Sequence, residues 1–458
     1  MAESEKKQHP VRKLTVKNFS VIKDAELEFG KITVLIGPQA SGKSLLCKLA
    51  YFFSNELIEA AATSVANKRT WDHFLAFLPS EFQSRFYTTT HGVTAHDTEM
   101  AFTSASYEVA LQWVPALVNL RFTFSETFKQ AYEAALDKRS AISRSVSGLL
   151  LSEGTNAGAR WHEALFEFNS VIWGLTPLVS MYVPANRVFF SSLSKQTEVL
   201  KNVGLDWVTR NFAAQIVWDG NWKAGLLTSG RGITDEINRR MTDILGGFVI
   251  TDSGIPRFLA KSGGVLPLEV VSTGTQEMIP LFNVVERLIY LREHLVEMNH
   301  TDQGGSRAER VPVSRPLVYL EEPEANIFPN TQYELVQLFA WLANDPVLDF
   351  RWVITTHSPY VLSAFNNLIE AGQAARNNPK LHDEVAKIVP EQYWIKEGDF
   401  KAYAIEDGVL KSIVNESGFV EGNYLDQVSE AIGDEFDKLV RLEYEHTKAS
   451  EPAGMLVG

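Results

Sequence analysis

The stretch of sequence that decides the fold is Gly37-Pro38-Gln39-Ala40-Ser41-Gly42-Lys43-Ser44. It follows an apolar run, Ile32 to Ile36, that suits a buried strand, and it precedes Leu45 to Ala50, which suits a helix. Two glycines, a lysine and a hydroxyl residue at this spacing, between a strand and a helix, are typical of a loop that binds phosphate groups. The backbone N–H groups of such a loop point at an anion, and the helix behind it presents its positive end.

The side chains of this loop indicate which phosphate compound it takes. Lys43 is predicted to reach the β- and γ-phosphates, and the hydroxyl of Ser44 is predicted to bind Mg²⁺. Gly37 and Gly42 permit a close backbone approach that a Cβ would obstruct. We therefore expect a site for a nucleoside triphosphate, taken as ATP, together with Mg²⁺. The alternative is a chance match on an ordinary turn, which the correct flanks on both sides disfavour.

Composition limits the class of protein. The 458 residues suffice for two or three packed units, and 45% hydrophobic with 22% charged residues is ordinary for a globular chain. No apolar stretch is long enough to span a bilayer, the first residues are charged, and Cys47 is the single cysteine. We therefore expect a cytoplasmic protein without an internal disulfide or a cysteine-based zinc site.

The net charge bears on nucleic-acid binding. The chain has 43 basic and 56 acidic residues, which gives a formal net charge of −13. A protein that simply coats DNA is usually basic, so DNA binding here would need a local basic groove.

The placement of the motifs and the local sequence pattern divide the chain into four parts. Residues 11–36 alternate apolar and polar side chains with a period of two, which predicts an antiparallel strand pair and then a buried strand. We assign 1–51 to the N-terminal part of a nucleotide-binding domain and 52–178 to a mainly helical insertion. Residues 179–390 are assigned to the rest of that domain, and 391–458 to C-terminal strands and a helix that complete it.

Local signals place several elements within these parts. Thr123-Phe124-Ser125-Glu126 has capping-box spacing and predicts a helix that continues to about Arg139. The short apolar runs Leu317 to Leu320 and Trp352 to Ile354 suit buried parallel strands. We interpret His300 to Ser314 as an exposed loop and Leu425 to Tyr444 as an amphipathic stretch.

Carboxylates follow the apolar run Leu317 to Leu320 at the point where that strand is predicted to end. We assign Glu321 to the Mg²⁺ shell, through a water molecule, and Glu322 to polarising the attacking water as general base. Alone, these residues would equally suit a solvated acidic loop. The phosphate loop elsewhere in the chain favours the catalytic interpretation.

Two further motifs place polar groups where phosphate could bind. His357 follows an apolar strand, where it can hydrogen-bond the γ-phosphate or the attacking water, although a lone histidine is more often structural. Ser272-Thr273-Gly274-Thr275-Gln276-Glu277 precedes a helix with apolar periodicity, and such a helix end attracts anions. Since one nucleotide needs one phosphate loop, this second site suggests completion by another subunit. An ordinary capped helix is the alternative.

Taken in order, these motifs resemble the ATP-binding-cassette (ABC) ATPases of the SMC, RecF and OLD (overcoming-lysogenization-defect) type. Gly37–Ser44 is similar to the Walker A motif, and Leu317–Glu322 is similar to Walker B with its catalytic glutamate. Ser272–Glu277 resembles the cassette signature, and His357 resembles the switch histidine.

Two shorter elements and several departures qualify this resemblance. Glu324-Ala325-Asn326 lies where the D-loop would be, and Tyr182 to Arg187 contains the Pro-Ala-x-Arg pattern of the OLD-like branch. The chain has Glu321 where Asp is usual and Asn326 where the OLD-like branch often has His, and its Q-loop glutamine is not recognisable. The segment after His357 lacks the Glu and Asp-x-Asp pattern of a Toprim nuclease, so we expect no nuclease activity in this chain.

The resemblance implies an α/β fold, namely an ABC-ATPase head. Such a head has a mixed sheet with a P-loop core flanked by helices, plus an antiparallel β subdomain, here with the helical insertion. It also implies a homo-oligomer of at least two heads packed head to tail. Each ATP would lie between Lys43 of one subunit and the signature residues of the other, which are Ser272, Thr273, Gly274 and Gln276. ATP would then hold the heads together, and hydrolysis through Glu322 would release them.

The resemblance leaves alternative cellular roles open. An ATPase of this kind resembles the ATPase component of two-gene bacterial anti-phage defence systems, of the PARIS type first and the Septu type next. That implies a sensor and scaffold which controls a separate effector, and we expect this effector to be a nuclease. The signal would be a phage-encoded trigger, and residues 52–178 are the candidate sensing surface. The alternative is a RecF-like repair or recombination ATPase that binds DNA. A metabolic or transport ATPase is disfavoured because membrane segments are not predicted.

Overall fold

The structure is a computed structural model of the chain, and it describes nine stretches of residues. These stretches are 12–90, 97–114, 119–146, 178–191, 205–218, 232–252, 255–301, 315–422 and 435–441. Within them, no helix combines the length and the apolar character needed to cross a bilayer.

Strands occur on both sides of the phosphate loop along the chain. In chain order, those of the described residues are β1 (Arg12–Phe19), β2 (Ile22–Phe29), β3 (Ile32–Ile36), β4 (Glu99–Thr103), β5 (Glu108–Val114), β6 (Asn119–Phe124), β7 (Leu178–Val183), β8 (Gly247–Asp252), β9 (Ile255–Ala260), β10 (Val265–Pro267), β11 (Arg315–Glu321), β12 (Arg351–Thr356), β13 (Phe400–Glu406) and β14 (Val409–Ser412).

Helices connect these strands. Those of the described residues are α1 (Lys43–Tyr51), α2 (Leu57–Ala66), α3 (Trp71–Thr90), α4 (Glu126–Val146), α5 (Val188–Ser191), α6 (Trp207–Trp218), α7 (Gly232–Leu245), α8 (Thr273–Thr301), α9 (Pro329–Asn344), α10 (Pro359–Asn377) and α11 (His382–Ile388). A π-helical turn, Phe52–Glu56, joins α1 to α2.

Eleven strands form one mixed sheet in the order β6-β5-β4-β1-β2-β14-β13-β3-β12-β11-β7. Strands β13, β3, β12, β11 and β7 run parallel, whereas β2, β1, β4, β5 and β6 pair antiparallel. Strand β14 joins the two halves because it pairs antiparallel with β13 and parallel with β2. The predicted α/β class with a mixed sheet is confirmed, as are the antiparallel pair β1–β2 and the parallel strands β11 and β12.

The central residues of the parallel strands β3, β11 and β12 are mostly apolar because both faces of these strands are buried. In β11, Val318 and Leu320 belong to an apolar cluster that includes residues of α9 and α10. Leu317 and Tyr319 belong to a second cluster that includes residues of α1 and α2. Successive residues of one strand therefore serve two cores, one on each face of the sheet.

The register of the parallel strands brings the polar motifs to one edge of the sheet. Glu321 at the end of β11 pairs with Thr355 of β12, and Thr356 pairs with Ile36, the last residue of β3. Ligand sites of parallel sheets form at the carboxyl ends of their strands. The phosphate loop, the acidic residues and the segment that contains His357 consequently share one edge.

A smaller antiparallel sheet, in the order β10-β9-β8, precedes helix α8. Phe258 of this sheet belongs to an apolar cluster that also contains Leu268, Val271 and Ile279, the last of which lies in the second turn of α8. This packing connects the small sheet to the start of α8, where the signature-like motif lies.

The segment assigned as an insertion contains strands as well as helices. The described part of the segment contains helices α2, α3 and α4, and also strands β4, β5 and β6, which were not predicted and which extend the main sheet through β1. The predicted capping box is wrong, because Thr123 pairs with Ala110 in the β5–β6 ladder and α4 begins only at Glu126. The remainder of the segment, 147–177, lies outside the described residues.

The C-terminal part supplies β13 and β14, which lie beside β3 and β2 in the main sheet. The assignment of 391–458 to the nucleotide-binding domain stays a prediction. Most of the predicted loop at 300–314 and most of the predicted amphipathic stretch at 425–444 fall outside the described residues.

Candidate functional site

The glycine-rich loop lies between β3 and α1, and two of its positions admit only glycine. A Cβ on Gly37 would lie 2.8 Å from the carbonyl oxygen of Ile405 in β13. Gly42 has a φ of 106°, and a Cβ there would lie 3.0 Å from the Val21 side chain in the β1–β2 turn. The loop is thus held between a neighbouring strand and the β1–β2 turn, with Lys43 as the first residue of α1.

Lys43 points its ammonium group into the loop. Its Nζ donates hydrogen bonds to the carbonyl oxygens of Gly37, at 2.8 Å, and Pro38, at 2.7 Å. Only 5% of the residue is exposed, and this burial lowers its pKa, whereas the charges of Glu322 and Glu324 act in the opposite direction. A partly desolvated cation at this position interacts more strongly with an anion than a lysine in water does.

A cavity of about 480 Å³ opens in front of this loop. It is lined by residues of the β1–β2 turn, the loop, α1 and the ends of β11 and β12, namely Ser20, Val21, Gln39, Ala40, Ser41, Gly42, Lys43, Ser44, Leu45, Glu322 and His357. The cavity therefore brings together the predicted phosphate-binding residues with the predicted general base and the predicted switch histidine.

Glu322 stands in an uncommon backbone conformation at the end of β11. Its φ of 44° lies in the left-handed region, which costs a residue other than glycine about 1–3 kcal/mol. The Glu322 N–H donates to the carbonyl oxygen of Thr355 at 2.9 Å, and the carboxylate lies 3.5 Å from Nε2 of His357. This turn of the backbone brings the Glu322 side chain to the cavity wall.

Glu321 has its carboxylate on the β7 side of the site. Its Oε1 accepts a hydrogen bond of 2.6 Å from the hydroxyl of Tyr182, and its Oε2 accepts one of 3.0 Å from the N–H of Ala185. Only 5% of the residue is exposed, and it is not among the described residues that line the cavity. Each carboxylate oxygen keeps a further lone pair. The assignment of Glu321 to the Mg²⁺ shell stays a prediction.

Glu324 and Asn326 link other parts of the site to one another. The N–H of His357 donates to Oε1 of Glu324 at 2.7 Å, which fixes the backbone from which the imidazole projects. The side-chain amide of Asn326 donates to Oε1 of Glu277 in α8 at 3.3 Å. Within the described chain, therefore, Glu324 contacts the backbone of His357, and Asn326 contacts the signature-like helix α8.

The signature-like motif begins helix α8, and its first residues face solvent. Ser272 and Thr273 are exposed, and Oγ of Ser272 accepts the N–H of Thr275 at 3.2 Å as a helix cap. Gln276 donates from its side-chain amide to the carbonyl oxygen of Val271 at 2.9 Å. None of these residues is among the described residues that line the Lys43 cavity.

Gly274 has a structural role within its own chain. A Cβ at this position would lie 2.4 Å from the carbonyl oxygen of Asn326 and 2.9 Å from the side chain of Ile327. The absence of a side chain thus allows the first turn of α8 to pack directly on the D-loop backbone.

Sequence reasoning did not foresee the part that Arg187 plays. Its guanidinium is fully buried, and Nε donates to the carbonyl oxygen of Glu277 at 3.0 Å and lies 3.3 Å from the carboxylate of that residue. Burial lowers the pKa of Arg187, and nearby carboxylates, Glu277 foremost, oppose this effect and keep the guanidinium charged. The Pro-Ala-x-Arg pattern was visible in the sequence, but its function was not.

The residues present fit a magnesium nucleotide. Ser41 Oγ, within the loop, is buried and has no hydrogen-bond partner among the described residues, as expected of a group that binds a polar ligand. The described residues contain no cluster of three or more His, Cys, Asp or Glu side chains that could hold a metal ion. Mg²⁺ in phosphate sites is held by one or two protein oxygens and the phosphates, and the Ser44 hydroxyl lines the cavity.

A family model described as an AAA ATPase domain matches residues 190–362. This segment is less than half of the chain, and it contains the signature-like motif, the acidic end of β11 and His357. This segment is therefore similar in sequence to AAA ATPase domains. No relative was found among curated proteins.

Similar solved structures include heads of SMC proteins. One is an SMC head bound to the winged-helix domain of ScpA, with 12% identity over 88% of this chain and 96% of that one, at a TM-score of 0.38. Another is the SMC head domain of Thermotoga maritima, with 11% identity over 89% and 98% and a TM-score of 0.33. A third is the head domain of Pyrococcus furiosus Smc with an extended coiled coil, bound to the C-terminal domain of ScpA, with 13% identity over 88% and 95% and a TM-score of 0.32. At these values nothing about ligands or partners is transferred from them.

Proposed function

We propose that this chain is a Mg²⁺-dependent ATPase whose ATP sites are completed by a second copy of the chain. The observation that carries the proposal is that Lys43, Ser44, Glu322 and His357 line one and the same cavity. A cation, a hydroxyl, a carboxylate and an imidazole at the C-terminal edge of a parallel sheet form the set that phosphoryl transfer to water requires.

The loop and Lys43 bind and orient the phosphates. Backbone N–H groups at the start of α1 present partial positive charge, and Lys43 adds a full charge that exchanges its contacts with Gly37 and Pro38 for phosphate oxygens. When bound beside Ser44, Mg²⁺ would supply charge neutralisation between the β- and γ-phosphates. Positioning and electrostatics together provide most of the rate enhancement in such sites.

Glu322 and His357 act on the attacking water. A carboxylate at the cavity wall can orient a water molecule and take its proton, and the neighbouring imidazole can donate to or accept from the same water or a γ-phosphate oxygen. The left-handed backbone at Glu322 supports this role, because strained conformations are retained mainly where function requires them.

A second copy would complete the site through its signature-like motif. Ser272 and Thr273 are exposed at the start of α8, a 29-residue helix, while the Lys43 cavity draws its described lining from elsewhere in the chain. A helix N-terminus with a hydroxyl residue is suited to the γ-phosphate of an ATP held by another subunit. ATP would favour the associated state by binding it more tightly than the separate chains, and hydrolysis would remove that difference.

The Glu322→Gln variant tests this function. The glutamine keeps the shape of the side chain but cannot accept the proton, so the variant should bind Mg²⁺-ATP, hydrolyse it about 100-fold more slowly and accumulate as an associated species. Native mass with and without Mg²⁺-ATP gives the readout, and Lys43→Ala, which should bind no nucleotide, is the control. Turnover near the wild-type rate in Glu322→Gln would remove Glu322 as the base.

The proposed cellular role is an oligomeric sensor and scaffold that controls a separate effector, expected to be a nuclease, in anti-phage defence. This role is supported by the resemblance to OLD-like ATPases, including Pro184-Ala185-Asn186-Arg187, and by the net charge of −13, which does not favour a DNA-coating protein. A phage-encoded product would be the trigger.

The alternative role is a RecF-like ATPase that acts on DNA. Duplex DNA should strongly stimulate ATP hydrolysis in that case and need not do so for the sensor. Glu322→Gln recovered with Mg²⁺-ATP from its own host cells provides the second test. A nuclease-like protein bound to the oligomer supports the sensor, whereas bound DNA without a protein partner supports the alternative.

A further inference from the structure

Arg187 lies at a junction of three parts of the molecule. It comes four residues after the end of β7, within the turn that starts at Pro184, and 0% of its surface is exposed. Its Nη1 donates to the carbonyl oxygens of Pro184 at 3.3 Å and Glu321 at 2.7 Å, and Nη2 donates to that of Glu322 at 3.0 Å. Its Nε donates to the carbonyl oxygen of Glu277 in α8 and also lies close to the carboxylate of that residue. One guanidinium thus joins the β7 turn, the end of β11 and the start of α8.

The contact with Glu322 falls on the strained residue. The Glu322 N–H is bound by the carbonyl oxygen of Thr355, and the Glu322 carbonyl oxygen is bound by Arg187, so hydrogen bonds hold both sides of this left-handed residue. A strained backbone persists only when its surroundings fix it in this way. Loss of the Arg187 contact would allow the backbone to relax and the carboxylate to leave its place beside His357.

The contact with Glu277 connects the same guanidinium to the signature-like motif. Glu277 lies in the second turn of α8, five residues after Ser272, and it is itself held by Asn326. Both Arg187 and Glu277 are buried, so movement of one without the other would leave a charge unpaired inside the protein, which is strongly unfavourable. The start of α8 and the backbone of Glu322 are therefore mechanically linked through one side chain.

We propose that Arg187 is a positioning residue for ATP hydrolysis, which holds Glu322 in its active conformation and links that conformation to the signature-like end of α8. The inference rests on the proposed ATPase function. Arg187 is not among the described residues that line the cavity, so it acts through the backbone of Glu322 rather than on the phosphates.

The test compares hydrolysis per bound nucleotide in Arg187→Lys, Glu322→Gln and the double variant. Lysine keeps the charge but cannot make the forked set of hydrogen bonds. We expect Arg187→Lys to bind Mg²⁺-ATP within about threefold of wild type and to hydrolyse bound ATP at least about tenfold more slowly in single turnover. In the Glu322→Gln background, Arg187→Lys should lower the single-turnover rate by less than about a further twofold. The effects of the two substitutions are not additive, because both residues act as one unit.

Two further variants separate positioning from folding. Arg85→Lys alters a partly buried arginine, which binds Glu56 and Glu81 and is not among the described residues that line the cavity, and it should change the midpoint of thermal unfolding without slowing hydrolysis per bound ATP. If Arg187→Lys does not fold, Glu277→Gln provides the test, since it removes the charge that anchors Arg187 and should also slow hydrolysis while ATP binding is retained.

The outcomes distinguish this inference from the proposed function. Two results would overturn the positioning role and leave the ATPase assignment intact. One is a wild-type single-turnover rate in Arg187→Lys. The other is a double variant in which Arg187→Lys slows hydrolysis as much as it does in the wild-type background. Absence of ATP hydrolysis by the wild-type protein would overturn the proposed function itself, whereas normal hydrolysis by Glu322→Gln would remove Glu322 as the base and with it the residue that Arg187 positions.

Discussion

Glu322 and His357 face each other at the cavity wall, with 3.5 Å between Oε1 of the glutamate and Nε2 of the histidine. They follow β11 and β12, which are adjacent parallel strands, so the sheet sets their separation. The His357 backbone is held in addition by the Glu324 carboxylate. An imidazole and a carboxylate at this distance can act on the same water molecule, and this relationship leads to the first prediction.

We expect His357→Ala to impair hydrolysis and to spare binding. Loss of a hydrogen-bonding group at the reacting atoms typically lowers kcat about 100-fold, whereas Lys43 and the loop continue to hold the nucleotide. Steady-state kcat and Mg²⁺-ATP affinity are to be measured side by side. His382→Ala alters a half-exposed histidine of α11 that contacts Asp383 and Glu391; it is the control and should behave as wild type. Equal kcat values for the two variants would contradict a catalytic His357.

The buried position of Lys43 predicts a pH dependence of ATP binding. Because burial lowers the pKa of Lys43, the ammonium should lose its proton at a lower pH than an ordinary lysine, and ATP affinity should fall as the pH rises through that value. Bound phosphate favours the charged form, so ATP binding at alkaline pH should take up a proton. Affinity measured from about pH 7 to about pH 10 provides the test.

Two variants at position 43 give the controls for this pH profile. Lys43→Arg keeps a charge that does not titrate in this range, so any affinity that it retains should not fall with pH. Lys43→Ala should show no measurable binding at any pH. A wild-type profile as flat as that of Lys43→Arg would show that the Lys43 charge does not titrate in this range.

A third prediction concerns the exposed start of α8. Ser272→Arg should leave ATP affinity at Lys43 unchanged but prevent ATP-driven association, because a long cationic side chain would occupy the space that a second copy must approach. The measurement is native mass in the Glu322→Gln background with Mg²⁺-ATP. Ser417→Arg, the same change at an exposed turn after β14, is the control. Normal association of Ser272→Arg would argue against completion of the site by a second copy.

The sequence predicts those parts of the fold and site that depend on local pattern. The alternation around Leu14 and Leu27 predicts the β1–β2 pair, and these residues are directly opposite each other in the ladder. The glycine-rich loop is likewise predictable from its own spacing between an apolar run and a helix-like run, although the backbone that excludes a Cβ at Gly37 belongs to Ile405 in the distant strand β13.

Long-range contacts could not be predicted from pattern. Strand β4 joins the main sheet only through β1, about 85 residues earlier in the chain, and alternating aromatic residues alone do not indicate that partner. Thr123 has the local signature of a helix cap, but pairing with β5 overrides it. The contacts of Arg187 could not be predicted for the same reason, because the tertiary fold brings its partners Glu277 and Glu322 to it.

The fourth prediction concerns Gly274, where a close contact within the chain can be tested without nucleotide. A methyl group there would lie 2.4 Å from the carbonyl oxygen of Asn326, which is backbone and cannot rotate away as a side chain could. Either the first turn of α8 or the D-loop must therefore shift in Gly274→Ala. Overpacking of this kind typically costs about 1–3 kcal/mol.

Gly264→Ala is the matched control for this contact. A Cβ at Gly264, in the turn between β9 and β10, would meet no atom within 4 Å, so the same substitution should leave stability nearly unchanged. Denaturant unfolding of both variants gives the difference in free energy, and an equal midpoint for the two would contradict the close packing of α8 on the D-loop. Because the contact lies between Gly274 and Asn326 and not at the Lys43 cavity, nucleotide affinity of the folded Gly274→Ala protein should remain close to that of wild type. A shift of the segment around Asn326 would instead affect association of the chains, so Gly274→Ala should need a higher ATP concentration than wild type to associate.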